Sequence, residues 1–225
     1  MRVWLAALLV GSMMMEAGSA ATLPPGFVRL VDVAPSIALD VRYAGSDNFT
    51  GRPVAGYAAP DCWARRETAE ALARVADAAA GQSYRLVVYD CYRPQRATEA
   101  FVRWTQDEAD QVAKARYYPN IDKRDIFAKG YIGTRSLHSA GVAVDLALQS
   151  VDGTPVDFGS GFDLFDPRSA TDSRLVDAPA RANRMLLKRM MERQGFANYH
   201  REWWHYTLQG LGDAPAYDAP IVRVD

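Results

Sequence analysis

The sequence predicts a single α+β domain, and three observations carry that prediction. Three stretches read as helices, short apolar runs of strand length lie between them, and no linker or internal repeat divides the 225 residues. With 49% hydrophobic and 24% charged residues the chain can bury one good core. A net charge of −1 leaves no basic bias, so nucleic acid is not an expected partner.

The elements follow in order. Arg2, the apolar run Val3 to Val10, a methionine cluster and the small residues Ala17-Gly18-Ser19-Ala20-Ala21 form a signal-peptide pattern. Residues 1–20 are therefore read as a leader cleaved near Ala20 or Ala21, and residues 21–225 as the mature domain. The apolar part is too short to span a bilayer comfortably, and no later segment is long enough. No cysteine follows to carry a lipid, so the prediction is an exported protein without a membrane anchor, most simply periplasmic. Asn48-Phe49-Thr50 matches a glycosylation acceptor but is read as part of a turn.

Ala64 to Ala80 reads as an amphipathic helix with Ala69, Leu72, Ala73, Ala76 and Ala79 along one face and Gly81 at its end. The run Leu86-Val87-Val88-Tyr89 reads as a strand ending at Asp90-Cys91-Tyr92-Arg93-Pro94. Pro94 suits the first position of a helix from Gln95 to Asp107. Val142, Val144, Leu146 and Leu148 alternate with Ala143, Asp145 and Ala147, as on a strand with one apolar face. A loop rich in Asp, Gly and Ser follows from Asp152 to Asp177. Periodicity returns from Ala180 to Gln194, stopped by Gly195, and Arg181, Arg184, Lys188, Arg189 and Arg193 are read as its solvated face. Asp213 to Pro220 reads as a loop-like tail.

Two separated stretches carry the chemistry: Ser136-Leu137-His138-x-x-Gly141-x-Ala143-x-Asp145, and Glu202-Trp203-Trp204-His205. They supply two imidazoles and a carboxylate as candidate metal ligands, His138, Asp145 and His205. Three such ligands with an open fourth position describe a catalytic zinc site, and Glu202 is placed to activate the bound water. Two of the three histidines in the chain fall here; the third, His200, is read as an exposed loop residue. Either stretch alone is compatible with core histidines and a turn carboxylate. A regular strand through Trp203, His205 and Thr207 would send Glu202 to the wrong side of His205. The site therefore demands a bulge, bend or strand start near Trp203. Arg93, at a strand-to-helix junction, offers a permanent planar charge for a carboxylate or a developing oxyanion, or else a structural salt bridge with Asp90.

With Asp90-x-Tyr92-Arg93-Pro94 placed before these two motifs, the chain resembles the D-alanyl-D-alanine dipeptidases of the VanX type. Asp47 to Gly51 and Gly159-Ser160-x-Phe162-Asp163 are similar to that family as well, and the likeness runs from about Val31 to Pro220. The resemblance implies a zinc metallopeptidase that hydrolyses D-Ala-D-Ala to two D-Ala. The implied fold is that of zinc D,D-carboxypeptidases and the Hedgehog signalling domain, a small, mainly antiparallel sheet flanked by helices. Carried over by position, His138, Asp145 and His205 become ligands of one Zn2+, Glu202 the general base, and Arg93 the stabiliser of the developing oxyanion. Tyr43, Ser136 and Asp163 become residues that hold the small D,D-dipeptide. Two other readings share the motifs: a D,D-carboxypeptidase acting on longer wall peptides, and a zinc-dependent peptide-binding protein without catalysis. An intact Glu202 and Arg93 argue against the second, because a binder needs no base. The sequence assigns no oligomeric state.

Cys62 and Cys91 are the only cysteines, and an oxidising compartment would let them pair. Such a bond would close about 30 residues and contribute about 3–4 kcal/mol in the loop-entropy model. It would also tether the Asp90–Arg93 segment to the start of the preceding helix. Two buried thiols are the alternative.

Overall fold

The computed structural model describes residues 22–224, so the predicted leader lies outside the described residues. The chain opens with β1 (Phe27–Arg29), a single turn α1 (Leu30–Val33) and β2 (Ala38–Leu39). Then come β3 (Trp63–Arg65), α2 (Arg66–Ala80), β4 (Tyr84–Asp90) and α3 (Gln95–Gln106). Short helices α4 (Lys114–Tyr117) and α5 (Lys123–Ala128) lead to β5 (Ala143–Ser150). The chain finishes with α6 (Ala178–Glu192), β6 (Phe196–Asn198) and β7 (His205–Leu208).

Five strands form one sheet in the order β2-β4-β5-β7-β6, antiparallel except for the β2–β4 pair. This is the α+β, mainly antiparallel arrangement expected, with a second small sheet of β1 against β3. That second sheet corrects the predicted start of the first helix. Trp63, Ala64 and Arg65 pair with Arg29, Val28 and Phe27, so α2 begins at Arg66 rather than Ala64. A strand of three residues has no periodicity of its own, and only its distant partner reveals it.

Helix α2 buries Ala69, Leu72, Val75, Ala76 and Ala79 against the sheet and α6, while Ala73 is only half-buried. Strand β5 is buried on both faces, from Ala143 to Leu148, rather than on the one apolar face predicted. A central strand covered on both sides leaves Asp145 only 2% exposed, and a carboxylate so placed must be matched by polar partners.

Helix α6 is capped by Asp177, whose side chain accepts from the Ala180 N–H at 2.8 Å. Its Arg184 corrects the reading of that helix's basic face, being fully buried rather than solvated. The guanidinium donates to the carbonyls of Phe158, Arg168 and Ala170 and to Ser160 Oγ at 2.7–3.0 Å. It ties the irregular segment after β5 to α6. Asn48 is likewise buried, its amide spent on the carbonyls of Arg42, Gly45 and Arg52, so the Asn-x-Thr triplet is an internal turn.

Gly141 closes the turn that carries His138, with φ of +73°. A Cβ there would lie 2.4 Å from the Phe27 ring and 3.2 Å from the Arg65 nitrogen. Gly141→Ala is expected to lower stability by about 1–3 kcal/mol from backbone strain, before the clash is counted. Chemical denaturation measures it, and an unchanged midpoint would contradict the close approach.

Candidate metal centre

The site is assembled across the middle of the sheet. On β5, Asp145 lies opposite His205 of β7 on one side and Asp90 of β4 on the other. Val88 pairs with Leu146, yet Asp90 pairs with the very next residue, so β4 carries an extra residue there. Such a bulge re-aims the side chain beyond it, and here it brings Asp90 to the face on which Asp145 stands.

His138 comes from a 3-10 turn, Leu137–Ala140, held at its start by Ser136, whose Oγ accepts from the His138 N–H at 3.2 Å. Its Nδ1 lies 2.6 Å from the Cys91 carbonyl oxygen. A carbonyl can only accept, so the proton sits on Nδ1 and the Nε2 lone pair faces the cleft. That Nε2 is 3.1 Å from His205 Nδ1, which is itself 3.0 Å from Asp145 Oδ1. One ligand atom from each of His138, Asp145 and His205 falls within 4.8 Å of the others. Two imidazole nitrogens and a carboxylate converging on one point suit a divalent metal of borderline softness. The orienting bond from the far side of the His138 ring is the outer support that metal-bound imidazoles use.

Burial alone would raise the Asp145 carboxyl, but the imidazoles of His138 and His205 outweigh it and hold the group below the usual carboxylate range. Burial would lower His205, and the bond and charge of Asp145, with Glu202, raise it instead.

The demand for an interrupted strand near Trp203 is met by a strand start. Strand β7 begins at His205 after a turn in which the His205 N–H donates to the Glu202 carbonyl at 3.2 Å. Asn198 clamps this turn, its Nδ2 donating to the carbonyls of both Glu202 and His205 at 3.0 Å. Its Oδ1 accepts from Thr171 Oγ1 at 2.6 Å, which fixes the amide's orientation. The turn places Glu202 Oε2 3.9 Å from His205 Nδ1. Burial, reinforced by the Asp145 charge, pushes the Glu202 carboxyl up to about 7, a value suited to a base working near neutrality.

Arg93 forms the salt bridge with Asp90 that the sequence allowed, and its guanidinium lines the cleft. Its Nε and Nη2 lie 3.0 and 2.8 Å from Asp90 Oδ2, and Nη2 is 3.7 Å from Asp145 Oδ2. The guanidinium also packs over the rings of Tyr43 and Phe101. Tyr57 donates to the other Asp90 oxygen at 2.6 Å, so both ends of that carboxylate are used. Tyr43 donates to Asp163 Oδ2 at 2.8 Å, and both residues are buried. Burial, with the Asp145 charge, raises the Asp163 carboxyl well above the usual range. Asp163 also has φ of +59°, a strained backbone of the kind that concentrates at functional sites.

One cleft of about 280 Å³ is lined by all of these: Tyr43, Arg93, Ser136, His138, Asp145, Asp163, Glu202 and His205. The structure thus brings together every candidate metal, catalytic and substrate residue, but not the cysteines. Those stand just behind it, joined as a disulfide with Cα atoms 5.5 Å apart. His200 is exposed, as read. Tyr131, Ile132, Arg135 and Tyr199 also line the cleft, and no motif pointed to them. Asn198 gave no signal either, because its amide protons go to main-chain carbonyls, which carry no sequence pattern.

A family model described as D-ala-D-ala dipeptidase matches residues 24–225. The chain belongs to the D-Ala-D-Ala dipeptidase family. The match to this dipeptidase family extends beyond the expected Val31 to Pro220 at both ends. The D-alanyl-D-alanine dipeptidase of Streptomyces coelicolor is 42% identical over 197 residues, covering 87% of this chain and 98% of its own. That of Enterococcus faecium is 40% identical over 185 residues, covering 82% and 92%. The dipeptidase of Escherichia coli is 31% identical over 190 residues, covering 83% and 88%. Among the residues described for this family member, no helix is long and apolar enough to cross a membrane.

Proposed function

We propose that the chain is a zinc-dependent dipeptidase that hydrolyses D-Ala-D-Ala to two molecules of D-Ala. Membership of the dipeptidase family gives the reaction class. The observation that supports the mechanism is the cluster of two imidazoles and a carboxylate, with a second, raised carboxyl beside it. His138 through Nε2, His205 through Nδ1 and Asp145 would hold the ion. Zinc bound there would supply a Lewis acid and a water acidified towards neutrality.

The remaining work falls to the chain's own groups. Glu202 takes the proton of the attacking water and returns it to the leaving amine. Arg93, held by Asp90 and stacked on Tyr43 and Phe101, donates to the oxygen that turns negative as the carbonyl is attacked. Asp90 aims that charge and keeps the guanidinium from swinging to Asp145. Asp163, hydrogen-bonded by Tyr43, offers a buried carboxyl to the ammonium of the free dipeptide, whose positive charge would favour the carboxylate form. Ser136, whose hydroxyl still has a proton to give, lines the cleft for the substrate's other end. A buried carboxyl at that place favours a free amino terminus over a longer, N-acylated chain, and so a dipeptidase over a carboxypeptidase.

The deciding experiment measures free D-Ala released by the zinc-loaded mature protein from D-Ala-D-Ala and from its N-acetylated form. Release from the free dipeptide alone is the expected result. Equal release from the blocked peptide would move the assignment to a carboxypeptidase, and silence on both would remove the reaction. Arg93→Ala is expected to lower kcat by about 10²–10³ with metal retained, and a change confined to KM would show that Arg93 binds substrate only.

We also infer from the leader-like sequence that the enzyme is exported and recovers D-Ala released by cell-wall turnover. An intact leader on protein from the cytosol, or unchanged growth on external D-Ala-D-Ala after deletion, would count against that role.

A further inference from the structure

We infer that the Cys62–Cys91 disulfide is a positioning element of the metal centre, acting on His138 through the Cys91 carbonyl. The inference rests on the metal-centre reading above and names a part of it that lies outside the ligand set.

Four observations carry it. First, among the described residues the hydrogen-bond partner of the His138 ring away from the cleft is a main-chain oxygen, that of Cys91, at 2.6 Å. Asp90 Oδ2 stands 3.4 Å from the same nitrogen but is already engaged by Arg93. The tautomer and tilt of the ring therefore follow wherever that carbonyl points. Second, Cys91 lies just past the end of β4, where the ladder to β5 has closed at Asp90 and α3 has not begun. Its own position is thus fixed by neither regular element. Third, a covalent bond to Cys62, next to β3, holds Cys91 from its side-chain end, with the two cysteines 1% and 3% exposed. The Tyr92 N–H, in the same peptide unit as the Cys91 carbonyl, donates to the Trp63 carbonyl at 2.8 Å, and the Cys62 carbonyl accepts from the Leu30 N–H at 2.8 Å, so the disulfide and these two bonds hold that peptide together. Fourth, the link to His138 is returned by the next residues, since the Arg93 N–H donates to the His138 carbonyl at 3.2 Å. The segment from Cys91 to Arg93 therefore grips His138 at ring and backbone together and presents Arg93 to the same cleft.

A bond that served only to stabilise the fold would act on the unfolded chain and leave the folded site unchanged. A bond that also aims a ligand changes how tightly the folded protein holds metal. Loss of an outer partner of a metal-bound imidazole typically weakens metal binding by about 10–100-fold. Here the carbonyl persists and only loosens, so the lower end, about tenfold, is expected.

The test uses the mature protein and the variant Cys62→Ser with Cys91→Ser, both well below their melting temperatures. Zinc affinity is measured by competition with a chromophoric chelator, and the cobalt-loaded forms are compared by visible absorption. Weaker zinc by about tenfold with a shifted cobalt spectrum supports the inference. A lower melting temperature with unchanged zinc affinity and cobalt spectrum would overturn it, leaving the bond a brace of the fold. If serines at these buried positions prevent folding, Cys62→Ala with Cys91→Val carries the same comparison. Failure of the oxidised wild type to bind one metal would instead overturn the metal centre itself, and this inference with it.

Discussion

Glu202→Gln is expected to hold zinc as the wild type does and to lose turnover by about 10²–10⁴-fold, the range that a positioned base contributes. The substitution keeps shape and burial and removes the group that can take a proton. Glu202 is not among the three residues whose ligand atoms converge, so metal content has no reason to fall. The surrounding turn is held by main-chain bonds and by Asn198, none of which involves the carboxylate. Loss of a buried carboxyl whose pKa is raised by burial is not expected to destabilise the fold. Metal analysis beside single-turnover kinetics makes the measurement. Near-normal turnover would reassign the base, and parallel loss of metal would make Glu202 a ligand.

His205→Ala should lose metal and turnover together. Its Nδ1 stands 3.1 Å from His138 Nε2 and 3.0 Å from Asp145 Oδ1, and the remaining histidine, His200, is not part of the converging group. The loss of affinity should exceed the roughly 10–100-fold that follows from losing an outer partner. Asp145 would feel the change as well. Its carboxyl is held low by the two imidazoles against a burial that pushes it up, and removing one shifts that balance upward. Dialysis against a weak chelator followed by metal analysis gives the result, and stoichiometric metal in the variant would remove His205 from the ligand set.

Much of this site was legible because its determinants are local. The alternation around Asp145 placed that residue on a strand, and the same parity argument required the strand carrying His205 to start or break near Trp203. What the alternation could not reveal is that both faces of β5 are covered, since burial depends on α2, α6 and the loops that fold back over it. The arginines of α6 show the same limit. Arg184 has the spacing of a solvated face, and only the carbonyls of a segment some 14 to 26 residues earlier make its burial tolerable. The bulge in β4 that turns Asp90 toward Asp145 leaves no mark in Leu86-Val87-Val88-Tyr89. The pairing of β1 with β3 likewise has no local signature. The wall formed by Tyr131, Ile132 and Arg135 lies in a stretch with no motif at all.

Arg184 has a consequence for the order in which the molecule opens and closes. Among the described residues it has no carboxylate within ion-pair distance, and burial lowers its guanidinium to about 10, so its charge is satisfied by backbone oxygens of the segment bearing Asp163. That segment has no ladder of its own, and its carbonyls would be left unmatched if α6 withdrew. The amide protons of residues 158–170 should therefore exchange with solvent in one cooperative unit with α6, with the same opening free energy. Faster, independent exchange of the segment would show that it breathes alone. Coupled exchange would mean that the cleft wall bearing Asp163 exists only while α6 stays docked.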